Sequence, residues 1–119
     1  MKYSESLKKN QDFRKVYNNG KSIADKYLVM YVMKNNLGIN RIGISVSKKV
    51  GNSVVRHRLC RLIREGYRLQ EEKFHIGYDC VFVVRVNAKD CTYHEIEGAI
   101  YHLGKLHQIV EKKDENNIN

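Results

Sequence analysis

The sequence has 119 residues, of which 42% are hydrophobic, and its formal net charge is +9 at pH 7. This length fits one domain with a single modest core, and so strong a positive charge points to a polyanionic partner such as nucleic acid or an anionic membrane surface. A membrane partner is disfavoured because no apolar stretch approaches the roughly 20 residues of a spanning helix. Met1–Asn10 is also too polar for a signal peptide, and we therefore expect a cytoplasmic protein.

The first predicted element is a short helix. Asn10 is placed to cap a helix over Gln11–Asn18, and Gly20 is placed to end it. Three side chains at positions i, i+3 and i+4 would form one apolar stripe along this helix: Phe13, Val16 and Tyr17. The stripe gives the helix one side that can pack against the rest of the domain.

Two strands are expected next. Ser22–Lys34 has apolar residues on both alternating faces, with room for a break or bulge that divides it in two, and Asn35–Asn40 is a predicted turn. In the second strand, Arg41–Ser47, one face is apolar. The other face is small and polar, so another group can approach the backbone closely there: Gly43, Ser45 and Ser47. Because the connecting turn is short, we expect the two strands to pair antiparallel.

The second half of the chain begins with a long predicted helix. Asn52 or Ser53 should cap this helix, which should run to about Glu71 and be followed by a loop over Glu72–Gly77. The nearly continuous apolar run Tyr78–Val86 is typical of a central strand that is buried on both faces.

A last helix completes the predicted domain. Thr92 and Glu95 form a capping-box pattern, and four apolar residues after them share one side of a helix: Ile96, Ile100, Leu103 and Val110. The element order α-β-β-(β)-α-β-α indicates a single α+β domain, a two-layer α-β sandwich, over residues 1–110. Residues 111–119 are a polar tail that we expect to fray.

Positive charge is concentrated between Lys48 and Arg68, where only Glu65 opposes it. The basic residues there are Lys48, Lys49, Arg56, Arg58, Arg61, Arg64 and Arg68. On a wheel drawn at about 100° per residue, the apolar arc of the long helix contains Val55, Leu59, Leu62, Gly66 and Leu69. The opposite arc contains His57, Arg58, Arg61, Arg64 and Arg68. The shoulder between the two arcs contains Arg56, Cys60 and Tyr67.

A helix face that is rich in arginine and almost entirely positive in charge favours phosphate binding. Guanidinium groups offer a planar fork of donors that suits phosphate, and a face of like charges repels itself unless a partner is bound. The loop Ser47–Asn52 adds two lysines beside free N–H groups at the start of the helix, a favourable place for phosphate. This loop lacks the P-loop spacing, so nucleotide hydrolysis is not indicated. The alternative interpretation is an ordinary solvated charged face.

The segment Ile42–Glu65, IGISVSKKVGNSVVRHRLCRLIRE, resembles the signature of the bacterial ribonuclease P protein family. Length, charge and element order extend this resemblance over roughly Ser6–Val110. It implies an α-β sandwich with a left-handed βαβ crossover, against the usual hand. It also implies that a large RNA subunit is the catalyst, working with Mg²⁺, and that the protein binds this RNA through the basic helix. The single-stranded 5′ leader of precursor tRNA would lie in a cleft between the sheet and the helices.

The resemblance also assigns roles to individual residues. Contact with the catalytic RNA is implied for Lys48, Lys49, Gly51 and Asn52 in the loop and for Arg56, Arg58, Arg61, Arg64 and Arg68 on the helix. A place in the leader cleft is implied for Phe13, Tyr17, Tyr31, Ser45, Ser47, Arg56 and Cys60. Two residues depart from the family pattern: His57 stands at the centre of the usual Arg-Asn-Arg triplet, and Cys60 stands where lysine is common.

The aromatic residues of the cleft have two possible interpretations. Rings on a sheet face and a neighbouring helix can stack unpaired bases without reading their sequence, so such a cleft would accept leaders of many sequences. The alternative is that Phe13, Tyr17 and Tyr31 are ordinary core residues.

Two other functions are compatible with part of the pattern. A general RNA-binding or ribosome-associated α+β domain would share the charge and the fold class, but not the motif with its aromatic cleft. A nuclease in its own right would need a carboxylate cluster for a metal or a histidine with a positioned acid, and the sequence shows neither. The three cysteines, Cys60, Cys80 and Cys91, and the five histidines lack metal-ligand spacing. We therefore expect no catalytic residue, no metal site and no small-molecule substrate in the protein.

Overall fold

A five-stranded sheet and three α-helices make up residues 1–111, which the computed structural model describes. The strands are β1 (Ser4–Ser6), β2 (Lys21–Ala24), β3 (Leu28–Lys34), β4 (Asn40–Ser45) and β5 (Tyr78–Val84). The helices are α1 (Asn10–Asn19), α2 (Ser53–Arg68) and α3 (Tyr93–Leu106). The predicted polar tail begins at Glu111 and otherwise lies outside the described residues. The predicted α+β class is confirmed, and β1 is an additional strand.

The strand order is β1-β4-β5-β3-β2, so β5 is the central strand, as its apolar run predicted. β5 pairs parallel with β4 and antiparallel with β3. The expected antiparallel pairing of Ser22–Lys34 with Arg41–Ser47 is therefore wrong, because β5 lies between β3 and β4. The parallel connection β4-α2-β5 is a βαβ crossover, and its left hand stays an expectation from the family resemblance.

The first predicted strand is divided in two, as the sequence allowed. β2 ends at Ala24, and β3 begins at Leu28 after a tight turn. In that turn Asp25 Oδ1 accepts hydrogen bonds from the backbone N–H groups of Tyr27 and Leu28, both at 2.8 Å. A local Asx-type turn of this kind interrupts the strand ladder, and β2 then runs antiparallel to β3.

Helices cover both faces of the sheet. On one face, alternate residues of β3, β4 and β5 form the main core with α2 and α3, which includes Met30, Ile42, Phe82, Leu59, Ile63 and Ile100. On the opposite face, α1 packs through Val16 against Val81, with Leu7 beside them. The predicted sandwich thus consists of the sheet and the α2–α3 layer, and α1 occupies the other face.

The starts of the helices test three predicted caps. Asn52 caps α2, and the capping box of Thr92 and Glu95 is present at α3, so both of these predictions are confirmed. The predicted cap of α1 is wrong, since Asn10 is the first helical residue and the preceding Lys9 makes no side-chain cap. α1 is instead fixed by its packing on the sheet.

The end of α3 differs from the expected one. The helix ends at Leu106, so Val110 does not continue its apolar side. The chain reverses at Gln108, whose φ is 62°, and Val110 forms an isolated antiparallel bridge with Phe74. Val110 is buried, as expected, although it reaches the core from a loop.

Tyr67 and Leu69 do not have the environments that the helical wheel predicts. Tyr67 is fully buried, and its hydroxyl lies 2.7 Å from Ser4 Oγ and accepts a hydrogen bond from Asn40 Nδ2 at 3.3 Å. Leu69 follows the last residue of α2 and is 57% exposed. The wheel fails here because the position of Tyr67 depends on polar partners that are distant in sequence.

The N-terminal strand β1 is held by backbone contacts. It pairs parallel with β4 along the edge of the sheet. The backbone N–H groups of Lys2 and Tyr3 donate to the two carboxylate oxygens of Glu71, each at 2.9 Å. These bonds satisfy amides that would otherwise be left at an unpaired strand end.

A buried carboxylate on β5 is paired with an arginine on β4. The side chain of Asp79 is 1% exposed, and Arg41 Nε and Nη2 donate to its two oxygens at 2.8 and 2.7 Å. Asn35 Nδ2 donates to the same carboxylate at 2.9 Å. Asp12 of α1 lies 3.7 Å from Arg41 Nη1. A bidentate partner offsets the cost of removing Asp79 from water, and it also links α1 to the sheet.

Gly43 on β4 lies directly under the ring of Phe13. A Cβ atom built on this glycine would be 2.7 and 2.8 Å from Cζ and Cε1 of Phe13 and 3.2 Å from Leu7 Cδ2. The sequence predicted that another group can approach the backbone of this strand closely on its small, polar face. At Gly43 that group is Phe13 of α1.

Replacing Arg41 should test the buried ion pair. We expect Arg41→Met to lower the free energy of unfolding by about 3 kcal/mol, because Asp79 would stay buried without its charged partner. The double variant Arg41→Met/Asp79→Asn should recover more than half of this loss. Urea unfolding at neutral pH measures both. A single-variant loss below about 1 kcal/mol would contradict a stabilising role for the pair.

Replacing Gly43 should test the contact with Phe13. We expect Gly43→Ala to lower the free energy of unfolding by about 1–3 kcal/mol, because the added methyl overlaps the ring. Gly98→Ala is the matched control, since a Cβ on Gly98 meets nothing within 4 Å. As this glycine lies within α3, the control should stabilise the protein by about 0.5–1 kcal/mol. Equal effects of the two substitutions in urea unfolding would refute the close contact.

Candidate nucleic-acid interface

The basic run begins in the turn that joins β4 to α2. Lys48 and Lys49 are both exposed in this turn. Asn52 Oδ1 accepts a hydrogen bond from the N–H of Val55 at 3.0 Å, which fixes the start of the helix. The two lysines therefore precede the positive end of the α2 dipole, where negative charge is favoured.

The outer face of α2 is cationic, as the wheel predicted. The exposed side chains on it are His57, Arg58, Arg61, Arg64 and Arg68. Arg56 and Cys60, assigned to the shoulder, are half-buried. Burial raises the pKa of the Cys60 thiol, and the nearby Arg64 and Arg56 partly offset that rise. A neutral thiol at this position places no negative charge among the arginines.

Two of the arginines bond to backbone carbonyls. Arg56 Nη1 donates to the carbonyl of Gly51 at 2.9 Å, which joins the helix to the turn before it. Arg58 Nη2 donates to the carbonyl of Cys91 at 2.6 Å, close to the start of α3. Both guanidinium groups are thus oriented by the protein, which reduces the side-chain entropy lost on binding a phosphate.

The remaining three arginines differ in charge pairing. Arg68 forms a bidentate pair with Glu65 at 2.7 and 2.9 Å, and this contact lowers the pKa of Glu65. Within residues 1–111, neither Arg61 nor Arg64 forms a salt bridge. Among the described residues, Arg61 and Arg64 are thus the arginines of α2 that bond to neither a carboxylate nor a backbone carbonyl.

A shallow groove with aromatic walls lies between α1 and the end of β4. It has a volume of about 450 Å³ and is lined by Asn10, Phe13, Arg14, Tyr17, Ile44 and Ser45. The rings of Phe13 and Tyr17 are 6.3 Å apart, and Tyr31 packs edge-on against Tyr17 at 5.0 Å. These distances are typical of favourable aromatic pairs.

The rings of this groove are also part of the small core under α1. Phe13, Tyr17 and Tyr31 are all half-buried and pack against the Val16–Val81 cluster. The two interpretations from the sequence are therefore compatible. Each ring contributes to the core, while Phe13 and Tyr17 also face the groove, with Tyr31 supporting Tyr17.

The structure brings together some of the predicted cleft residues. Phe13, Tyr17 and Ser45 line the groove, and Tyr31 contacts it through Tyr17. The other three predicted residues are not among those that line it: Ser47, Arg56 and Cys60. Their contact with a leader stays a prediction.

Three groove residues were missed by the sequence analysis: Asn10 and Arg14 on α1 and Ile44 on β4. Asn10 and Arg14 lie with Phe13 and Tyr17 on one side of α1, at the spacing i, i+3, i+4 and i+7. That spacing marks a helix face and could have identified Asn10 and Arg14. Arg14 adds an exposed cation beside the aromatic rings.

Residues 1–111 contain no group of three or more His, Cys, Asp or Glu side chains that could hold a metal ion. None of their helices has both the length and the apolar character to cross a membrane.

Curated relatives share most of the sequence. The family described as ribonuclease P matches residues 1–108. The ribonuclease P protein component of Lachnoclostridium phytofermentans is 60% identical over 111 residues, which cover 93% of this chain and 96% of the relative. The corresponding protein of Alkaliphilus metalliredigens is 56% identical over 103 residues, covering 87% and 93% of the two chains.

Solved structures of the same family share the fold. The RNase P protein of Staphylococcus aureus superposes with a TM-score of 0.79 at 36% identity, covering 89% of this chain and 97% of that one. The RNase P protein of Thermotoga maritima superposes with a TM-score of 0.79 at 27% identity, covering 85% of this chain and 96% of that one. The βαβ unit with its basic helix and the family match lead to one conclusion: the chain belongs to the ribonuclease P protein family, the protein subunits of a ribonucleoprotein endoribonuclease that processes tRNA.

Proposed function

We propose that this protein subunit binds ribonuclease P RNA through α2 and the turn before it, and binds the 5′ leader of precursor tRNA in the α1 groove. The observation that carries the proposal is the pairing of an arginine-rich face of α2, where only Glu65 opposes the positive charge, with a separate aromatic groove. The resemblance in the motif Ile42–Glu65 supports the same assignment.

The charge distribution supports α2 as the contact for structured RNA. Phosphate contacts release counterions, and this gain requires cations that are accessible and not already neutralised. Arg61 and Arg64 meet both conditions among the described residues, and Lys48 and Lys49 extend the cationic surface to the start of the helix. Arg58 joins this surface with a guanidinium group that is already oriented.

The shape and chemistry of the α1 groove support leader binding. Aromatic rings stack bases of any sequence, and a nearby cation holds the backbone. Phe13 and Tyr17 supply rings, Arg14 supplies the cation, and Ser45 supplies a small polar wall. A groove with these groups suits leaders that vary in sequence.

We propose that catalysis resides in the RNA subunit, with Mg²⁺ held by that RNA. The protein contributes by binding and orienting the two RNAs. We also propose that it acts in the cytoplasm, where bacterial tRNA precursors are made.

Reconstitution should test whether cleavage activity resides in the RNA and is supported by the protein. We expect the purified protein alone not to cleave precursor tRNA. Added to a bacterial ribonuclease P RNA at a Mg²⁺ concentration too low for the RNA alone, it should restore cleavage at the 5′ end, because its cations replace part of the ionic screening. Robust cleavage by protein free of RNA would overturn the proposal.

Replacing Tyr17 should test the groove. In the reconstituted enzyme, we expect Tyr17→Leu to weaken binding of precursor tRNA by about 5- to 150-fold, the loss expected for one base stack. Binding of mature tRNA, which has no leader, should stay the same. Tyr101→Leu on α3 is a matched control, since Tyr101 is also half-buried and lies outside the groove. Equal losses on precursor and mature tRNA would remove the groove from leader binding.

A further inference from the structure

A second groove lies between α2 and the first turn of α3. It has a volume of about 570 Å³ and is lined by Arg58, Arg61, Leu62, Arg64, Glu65 and Tyr93. Neither the composition nor the helical wheel indicated Tyr93, because this residue comes from a different helix. The groove combines an aromatic ring, an apolar side chain and several cations.

Its walls are held in place by contacts within the protein. Arg58 of α2 donates to the carbonyl of Cys91 at 2.6 Å, and this bond ties α2 to the chain just before α3. The hydroxyl of Tyr93 donates to Glu97 Oε2 at 3.0 Å, and the capping box fixes the start of α3 next to it. The ring of Tyr93 is therefore held in a defined position before any ligand binds.

The electrostatic character of this groove favours an anionic ligand. Among residues 1–111, Glu65 is the one carboxylate that lines it, and Glu65 is already paired in bidentate fashion with Arg68. Arg61 and Arg64 are exposed and have no salt bridge within residues 1–111. Fork-shaped donors of this kind suit phosphate, while the ring of Tyr93 and the side chain of Leu62 suit a flat apolar surface.

We propose that the α2–α3 groove binds one unpaired nucleotide of the catalytic RNA. Its base lies against Tyr93 and Leu62, and its phosphate contacts Arg61 and Arg64. A nucleotide matches both halves of the groove, since it joins a stacking surface to a phosphate, and the volume lies within the range of small-ligand sites. The inference rests on the proposed function, because it requires α2 to face RNA.

The fold favours the catalytic RNA over the tRNA leader as the source of this nucleotide. α1 and its groove lie on one face of the sheet, whereas α2 and α3 pack on the opposite face. A leader held at Phe13 and Tyr17 is therefore separated from Tyr93 by the thickness of the sheet. Structured RNA bound along α2 would lie beside the α2–α3 groove, on the same side of the sheet.

Replacing Tyr93 tests the nucleotide site directly. We expect Tyr93→Leu to weaken binding to ribonuclease P RNA by about 5- to 150-fold, the loss expected for one base stack. Tyr93→Phe keeps the ring and should recover most of this loss. Because no charge is removed, the salt dependence of binding should keep its slope in both variants. Tyr101→Leu, from the same helix but outside the groove, is the control.

Arg61→Ala separates failure of this site from failure of the proposed function. It should weaken binding to the RNA and reduce the salt slope by about one. If Arg61→Ala weakens binding and Tyr93→Leu does not, the nucleotide site is wrong while the α2 interface stands. If neither variant changes affinity for the RNA, the α2 interface fails as well.

Crosslinking provides a test that does not depend on a folded variant. Ultraviolet irradiation of the complex of wild-type protein with ribonuclease P RNA should join Tyr93 to one nucleotide of that RNA, identified by mass spectrometry. A crosslink to the leader of bound precursor tRNA instead would overturn the choice of RNA. The absence of any Tyr93 crosslink, with Tyr93→Leu binding normally, would overturn the site.

Discussion

Burial of β5 on both faces is the constraint on which the rest of the structure depends. Cys80, Val81 and Phe82 are all fully buried, with their side chains alternating between the two layers of helices. The backbone N–H and C=O groups of a strand buried in this way need hydrogen-bond partners, which a neighbouring strand on each side supplies. β4 and β3 fill those two positions. The helices must then divide between the faces, with α1 on one and α2 and α3 on the other.

This division separates the two proposed RNA surfaces while joining both to the same pair of strands. α1 rests on β4 through Phe13 and Gly43, and it is linked to β5 through Asp12, Arg41 and Asp79. α2 connects the end of β4 to the start of β5. The aromatic groove and the cationic helix therefore have a fixed spacing. A rigid spacing of this kind would help to align a leader with the RNA that cleaves beside it.

Sequence patterns predicted those features that depend on nearby residues. The capping box at Thr92, the cap at Asn52 and the central position of β5 follow from local chemistry or from one long apolar run. Features that depend on partners distant in the sequence could not be predicted from local patterns. β1 is polar and becomes a strand only beside β4, and Tyr67 is buried by contacts with the N-terminal strand. For the candidate sites, the arginine face was visible on one helix, whereas the Tyr93 groove requires two helices.

The position of β5 also affects how the chain folds. β5 is the last of the five strands in the sequence, yet it occupies the centre of the sheet. During synthesis, β3 and β4 leave the ribosome before the strand that must lie between them, so their inner edges remain open until Tyr78–Val84 follows. Any hairpin that these two strands form in the meantime has to break again. Pairing of this final strand uses contacts that are distant in sequence, and contacts of that kind slow folding. Until it pairs, the open edges of β3 and β4 are the type of surface through which nascent chains aggregate.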